Sequence, residues 1–151
     1  MAKYSVLMQR TASASLGVGG IQAPASGMRR IKIYDLDFGS EATPADVAIL
    51  WQLQRSTTAG TSTGVTPQAL DPADAAAAAL AGTTFTADPT LTANAFPLSI
   101  PLNQRASFRW VAAPGSEIVI PATASNGVAI RTPTLNGGTP AVTCTALIEE
   151  Q

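Results

Sequence analysis

Two aspartates, Asp35 and Asp37, are the first residues whose spacing could support chemistry. They alternate with apolar residues in RRIKIYDLDF, residues 29–38, which has the period of a β-strand, so both carboxylates lie on one strand face. Paired carboxylates can ligate calcium or take part in glycoside hydrolysis. No third oxygen-rich cluster accompanies them, and three basic residues stand in the same segment. We therefore expect a solvated strand face on which these charges balance one another.

The other reactive residue types are sparse. The chain has no histidine, and its single cysteine, Cys144, lies in an apolar alternating stretch where a thiol packs as a small hydrophobic group. The run GVGG, residues 17–20, is not a dinucleotide loop, because Gln22 replaces the third glycine. Trp51 and Trp110 could stack on a sugar, but both alternate with aliphatic residues as core residues do. We predict that the protein is not an enzyme and carries no metal or cofactor.

Composition indicates a protein whose surface is partly covered. Charged residues make up 13% of the 151 residues and hydrophobic residues make up 46%. An average soluble domain has about 25% charged residues. A surface with so few charges predicts contact with another copy of the chain or with a different protein.

Charge and hydropathy also exclude several partner classes. The net charge is −1 and no basic stripe exists to neutralise phosphates, so we predict no nucleic-acid partner. No apolar run approaches the length of a membrane span, so we predict no membrane partner. The apolar run at residues 6–8 is too short for the apolar region of a secretion signal, and we expect the protein to be made in the cytoplasm.

Most of the chain carries the alternation of β-strands. Strands are predicted at residues 3–10, 29–38, 49–54, 94–101, 105–113, 117–121, 127–132 and 140–148. Turn signals such as Pro114-Gly115 and Asn126-Gly127 separate the later strands, which favours a meander. Short strands at this spacing predict an all-β fold, a jelly-roll-like β-sandwich, in a single domain spanning residues 1–151.

Two short helices are predicted in the loops. Residues 43–46 offer a threonine N-cap followed by proline, which is typical of one helical turn. The stronger signal is Asp71–Ala81, with Asp71 as N-cap, Pro72 at the first helical position, an alanine run, and Gly82 after the end. This helix would pack against a sheet or a neighbouring subunit.

Two long runs of the sequence resemble a known family. They are FGSEATPADVAILWQLQRSTTAGTSTGVTPQALDPADAAAA, residues 38–78, and LNQRASFRWVAAPGSEIVIPATASNG, residues 102–127. Together they resemble small capsid decoration proteins, also called cement or head-stabilising proteins, of tailed double-stranded DNA bacteriophages. The resemblance extends from Met28 to Glu149-Glu150, and its units, such as TPAD, LDPAD and APGSEIVIPAT, are structural rather than catalytic.

The resemblance implies a structural function. It implies a β-sandwich subunit that forms homodimers or homotrimers on the outer surface of the phage capsid and bridges neighbouring major capsid protein subunits against the pressure of packaged DNA. The family has no active-site residues to carry over. Two other functions in the same virion remain open. A carbohydrate-binding jelly roll would need Trp51 or Trp110 exposed, and a neck or tail connector would form a ring with the connector's symmetry.

Residues 1–27 are predicted to form an N-terminal arm and connection, and the connection, residues 11–30, is predicted to contact the capsid. Leu16, Val18 and Ile21 are apolar, yet their surroundings are rich in glycine and serine and predict no core of their own. Arg29 and Arg30 follow and could meet acidic groups on the capsid. These five residues are the candidate partner-binding residues. A plain connection across the end of the sandwich is the alternative.

Overall fold

The computed structural model describes residues 1–27 and 29–151. Within these residues the chain forms twelve β-strands and no helix. The strands are β1 Lys3–Thr11, β2 Gly19–Gln22, β3 Ile31–Ala42, β4 Ala48–Ser56, β5 Thr61–Val65, β6 Gln68–Ala69, β7 Leu80–Ala87, β8 Leu98–Asn103, β9 Phe108–Val111, β10 Ile118–Ile120, β11 Gly127–Thr134 and β12 Ala141–Glu150. The prediction of an all-β fold is confirmed.

The strands form two antiparallel six-stranded sheets, an arrangement consistent with a β-sandwich. The first sheet has the order β10-β3-β12-β1-β6, and β9 continues the line of β10 along the free side of β3. The second sheet has the order β5-β7-β2-β11-β4-β8. Among the described residues no strand pairs with the next strand along the chain. The predicted meander is therefore wrong, although the strands assigned to it exist.

One buried cluster joins the two sheets. β12 shows the pattern most plainly, because Val142, Cys144, Ala146 and Ile148 are fully buried while the residues between them are partly exposed. Its partner across the sheet is β1, whose Tyr4, Val6 and Met8 are buried in the same way. Between the sheets, the rings of Phe38 and Trp51 lie 5.0 Å apart. This alternation is the expected result of packing one face of each sheet against the other.

A β-bulge in β3 changes which residues face the core. The pairing with β12 skips Tyr34, so one extra residue is inserted into β3 at this point. Before the bulge, Ile31 and Ile33 are buried; after it, Leu36 and Phe38 are buried. Because a strand alternates with a period of two, the extra residue moves the inward positions from odd to even numbers. Tyr34 and Asp35 therefore both lie on the outward side.

The predicted helix at Asp71–Ala81 is absent. Residues 71–74 form a turn in which Asp71 Oδ1 accepts a hydrogen bond from the Ala73 N–H at 2.9 Å. The residues up to 79 have no regular structure, and β7 begins at Leu80. Asp71 thus closes a local turn, which is the other conformation that this residue type favours.

The sandwich binds the backbone of this segment in place of a helix. The Ala79 N–H donates to Glu150 Oε1 at 2.6 Å, and the Tyr4 hydroxyl donates to the Ala75 carbonyl oxygen at 2.9 Å. A helix of about ten residues is marginal by itself, so contacts with the strands decide the conformation. The alanine run consequently crosses from the first sheet to the second as an irregular connection.

The predicted helical turn at residues 43–46 is also wrong. Residues 43–46 have no helical turn, and Thr43 has a φ of +53°, far from the extended conformation typical of an N-cap residue. The Ala45 N–H instead donates to Gln104 Oε1 at 2.9 Å, and this bond ties the connection to the loop after β8.

Candidate interaction surface

The structure places two of the five candidate partner-binding residues in the core. Val18 and Ile21 are 0% and 1% exposed, and β2 lies between β7 and β11 in the second sheet. The glycines that suggested a mobile connection permit this packing, because a Cβ on Gly19 would lie 2.5 Å from Met8 Cγ and 2.6 Å from the Gly82 carbonyl oxygen. The side chains of Val18 and Ile21 are therefore not accessible to a partner, and this part of the prediction is corrected.

The remaining three candidates lie at the surface. Leu16 is half-buried, whereas Arg29 and Arg30 are exposed. Arg29 Nη1 lies 3.7 Å from Glu150 Oε2, and the Gln151 N–H donates to the Arg30 carbonyl oxygen at 3.0 Å. Arg29 thus has an acidic neighbour within the chain. A partner contact through these three residues stays a prediction.

The outward side of the first sheet forms a second candidate surface, which we call the bulge face. Cross-strand register brings its residues together: Leu7, Asp37 and Arg109 share one row with Thr145, and Asp35 and Val111 share the next with Leu147. Leu7 is 48% exposed and Val111 is 56% exposed. Tyr34 lies on the same face because the bulge in β3 places it on the outward side. Apolar and charged side chains therefore alternate across this face.

An ion pair lies in the middle of the bulge face. Arg109 Nη2 lies 2.5 Å from Asp35 Oδ2, and Arg109 Nε donates to Asp35 Oδ1 at 3.1 Å. Asp35 is only 5% exposed although it points outward. The hydrogen bond to Asp35 and its charge raise the pKa of Arg109. This geometry is the bidentate pairing that arginine makes with a carboxylate.

This ion pair corrects the expectation for the two aspartates. The partner of Asp35 comes from β9, and the basic residues of its own segment do not form the pair. Asp37 is exposed as expected. Within residues 1–27 and 29–151, no three acidic, cysteine or histidine side chains come together as metal ligands would. The alternation in FRWV could have indicated that Arg109 and Val111 share a face, but the bulge opposite them leaves no mark in the sequence.

A shallow cleft of about 250 Å³ borders the bulge face. It is lined by Lys3, Lys32, Tyr34, Val111, Ala112, Pro114, Glu117 and Glu149. Lys3 Nζ stands 5.3 Å from the centre of the Tyr34 ring, within the range of a cation–π contact. Burial raises the pKa of Tyr34, and the nearby carboxylates of Asp35 and Glu149 raise it further. The cleft thus combines both signs of charge around one aromatic ring.

The loop at residues 112–117 forms the outer wall of this cleft. β9 and β10 pair with the same side of β3, and the loop bulges out between them opposite Tyr34, where the Ala112 N–H donates to the Tyr34 carbonyl oxygen at 2.9 Å. Gly115, at the Pro-Gly corner, has a φ of +84°, which a glycine adopts without strain. The segment is therefore one interrupted edge strand, rather than two strands of a meander.

The two tryptophans have different environments. Trp51 is 2% exposed and packs on Phe38, so its prediction as a core residue is confirmed and it offers no platform for a sugar. Trp110 is half-buried on β9 and packs against the core cluster. Beside it on the same strand, Phe108 is 38% exposed. The free edge at β9 is thus partly aromatic.

Cys144 behaves as the sequence predicts. It is fully buried, and burial, followed by the charge of Asp37, raises the pKa of its thiol. A thiol with a raised pKa forms little of the reactive thiolate.

None of the protein-family models, curated proteins or solved structures compared with this chain matches it. No segment of the described chain forms a helix with the length and apolarity needed to cross a bilayer.

Proposed function

We propose that the protein is a structural component of a phage virion that binds the outer surface of the head and bridges neighbouring major capsid subunits. The observation that carries the proposal is the position of the second family-like run, residues 102–127. This run includes β9, the loop at 112–117 and β10, which form the free edge of the first sheet beside the bulge face. The part of the chain that resembles decoration proteins is therefore also a part that is open to a partner.

We also propose that the sandwich is a jelly roll. The support is the strand order: β1, β12, β3 and the β9–β10 edge follow one another in the first sheet, and β2, β11, β4 and β8 do so in the second. In chain order these strands alternate between the two sheets except at β4 and β8, which pair with each other in the second sheet. Eight strands that form two Greek keys would have such an order. β5, β6 and β7 then belong to an insertion between β4 and β8. Viral capsid proteins commonly use this architecture.

A homodimer or homotrimer fits the same proposal. The bulge face exposes Leu7 and Val111, the β9 edge exposes Phe108, and exposed large apolar side chains favour contact with another protein. An oligomer would raise the effective concentration of each copy on the capsid, so weak individual contacts would add up to firm attachment.

The test is reconstitution on heads of the phage that encodes the protein, prepared without it. Purified protein should sediment with the heads up to a saturating number of copies, and decorated heads should release DNA at a higher temperature than bare heads. Val111→Arg should reduce the bound fraction because it places a charge in the bulge face. Leu70→Arg is the matched control, since it adds the same charge at another exposed aliphatic residue.

Two outcomes would count against the proposal. Wild-type protein that stays in the supernatant with bare heads would exclude a decoration function. Binding only to necks or tails, visible in the microscope as a ring at one vertex, would favour the connector function in its place.

A further inference from the structure

A second cleft, distinct from the one at the bulge face, opens at the end of the sandwich between the two sheets. It holds about 410 Å³ and is lined by Arg55, Ser56, Thr57, Thr92, Val119, Pro121, Asn126 and Gly127. The end of β4 supplies its wall from the second sheet, and the end of β10 supplies the wall from the first.

Arg55 is the only charged residue among those that line this cleft. Its side chain crosses between the sheets, and Nη1 donates to the Val119 carbonyl oxygen. In the described part of the chain Arg55 forms no ion pair with a carboxylate, unlike Arg29, Arg109 and Arg131. Three other arginines form none either, but Arg30 and Arg105 are exposed, and the charge of Asp88 acts on Arg10. A guanidinium has five N–H donors, and the contact with Val119 uses one of them.

The surroundings of Arg55 favour an anion. Burial lowers the pKa of Arg55, and no carboxylate acts on it in the opposite direction. Its neighbours Ser56, Thr57 and Thr92 carry hydroxyl groups and Asn126 carries an amide, all of which can donate hydrogen bonds. Thr57 Oγ1 reaches the Thr90 carbonyl oxygen only at 3.5 Å, a long hydrogen bond that a stronger acceptor would replace.

We propose that this cleft binds a carboxylate group of the partner polypeptide. One guanidinium balances one carboxylate, and its planar N–H groups match the two oxygens in a bidentate pair. A phosphate carries more negative charge at neutral pH, and the cleft holds no second cation for it. Resting on the proposed function, the source of the carboxylate is an acidic side chain on the outer surface of the phage head.

The first experiment tests the cleft without a capsid. Acetate is titrated into the full-length protein and followed by NMR at the Arg55 Nε–H and at the backbone amides of Thr57 and Gly127, with chloride at equal ionic strength as the reference. We expect a saturable shift at these positions with acetate. Shifts that match those in chloride, or tighter saturation by inorganic phosphate than by acetate, would overturn the assignment.

Two variants locate the acetate response. Arg55→Gln should abolish it, while Arg105→Gln, which removes the same charge from an exposed residue, should leave it unchanged. If Arg55→Gln fails to fold because the contact with Val119 is lost, Asn126→Asp decides the question. It keeps Arg55 and adds a carboxylate to the cleft, so acetate should no longer bind. Its control is Asn136→Asp, the same change before another glycine. A wild-type response in Asn126→Asp would overturn the proposal.

The second experiment repeats head binding with the same variants. Arg55→Gln or Asn126→Asp should weaken binding about tenfold or more, the usual effect of losing a charged hydrogen bond. Equal binding by these variants and the wild type would overturn the inference and leave the decoration function standing. If the wild-type protein binds acetate saturably but does not bind heads, the carboxylate site exists and the proposed function fails.

Discussion

β2 and β9 are each four residues long, and they lie at opposite extremes of exposure. β2, with the sequence GGIQ, is buried at its first three residues and lies between β7 and β11. β9, with the sequence FRWV, has three exposed residues and pairs only with β3. The strand with two glycines is thus in the middle of a sheet, and the strand with two aromatic residues is at an edge.

The difference shows that neighbours on both sides matter more than the apolar content of a strand. The glycines of β2 contribute little apolar surface, but they let β7, β11 and the Met8 side chain approach closely. Phe108 and Trp110 would bury far more surface, but the first sheet ends at their strand and leaves them half-covered. The difference in burial between these two strands therefore follows from their positions in the sheets, although β10, on the same edge as β9, has Ile118 and Ile120 buried.

The largest expected effect comes from removing a side chain of β2. Ile21→Ala should lower the free energy of unfolding by about 2–5 kcal/mol, because it leaves a cavity between two paired strands. Urea unfolding followed by tryptophan fluorescence measures this loss. Leu16→Ala, at a half-buried position just before the strand, should cost clearly less. Equal and small losses for both variants would mean that β2 is not part of the core.

A smaller loss is expected from adding one methyl group to the same strand. Gly19→Ala should cost about 1–3 kcal/mol, since the new Cβ would overlap Met8 and the Gly82 carbonyl oxygen. Gly64→Ala in β5 is the matched control, because a Cβ there meets no atom within 4 Å. Thermal unfolding of both variants makes the comparison. A Gly19→Ala protein as stable as the control would show that the close packing around β2 is not needed.

The exposed turn at Asp71, which has no buried neighbours, should contribute still less to the free energy of unfolding. Asp71→Ala removes an exposed hydrogen bond to the Ala73 N–H and should cost about 0.5–1 kcal/mol in urea unfolding. Circular dichroism should show no loss of helix, because the segment has none. A drop in helical signal would restore the helix that the sequence predicts.

The smallest effect on stability is expected at β9. Val111→Arg should change the free energy of unfolding by less than about 0.5 kcal/mol, because Val111 is 56% exposed. The same variant should weaken head binding. A stability loss as large as that of Ile21→Ala would contradict this expectation. It would mean that Val111 is buried in solution by another copy of the chain.

The sequence predicted eight of the twelve strands, because alternation is a local property, but it missed β2, β5, β6 and β7. The later strands and β1 lie close to the predicted positions, and Cys144 and Trp51 are core residues as expected. The predictions from sequence failed where contacts with distant residues determine the conformation or the pairing. The bulge at Tyr34, the pairing of Asp35 with Arg109, and the conformation of residues 71–79 depend on strands far away in sequence. The Arg55 cleft depends on two sheets meeting and has no local signal.

Residues 12–22 show how a prediction from local sequence can mislead the design of an experiment. They resemble a removable connection in composition, but they contain β2, and their deletion would open the second sheet between β7 and β11. A deletion variant that fails to bind heads would therefore report unfolding rather than the loss of a contact. Point substitutions at exposed residues are the appropriate tool for this chain.

The pairing of β1 with β12 has a consequence for how the protein is made. Residues 3–11 leave the ribosome more than a hundred residues before their partner at residues 141–150. Long-range pairing of this kind slows folding to about milliseconds to seconds. β1 can pair with β6 at residues 68–69 sooner, but its other edge has no partner in the first sheet until translation reaches β12. An unpaired strand edge in a nascent polypeptide is open to other chains, which makes it a substrate for chaperones.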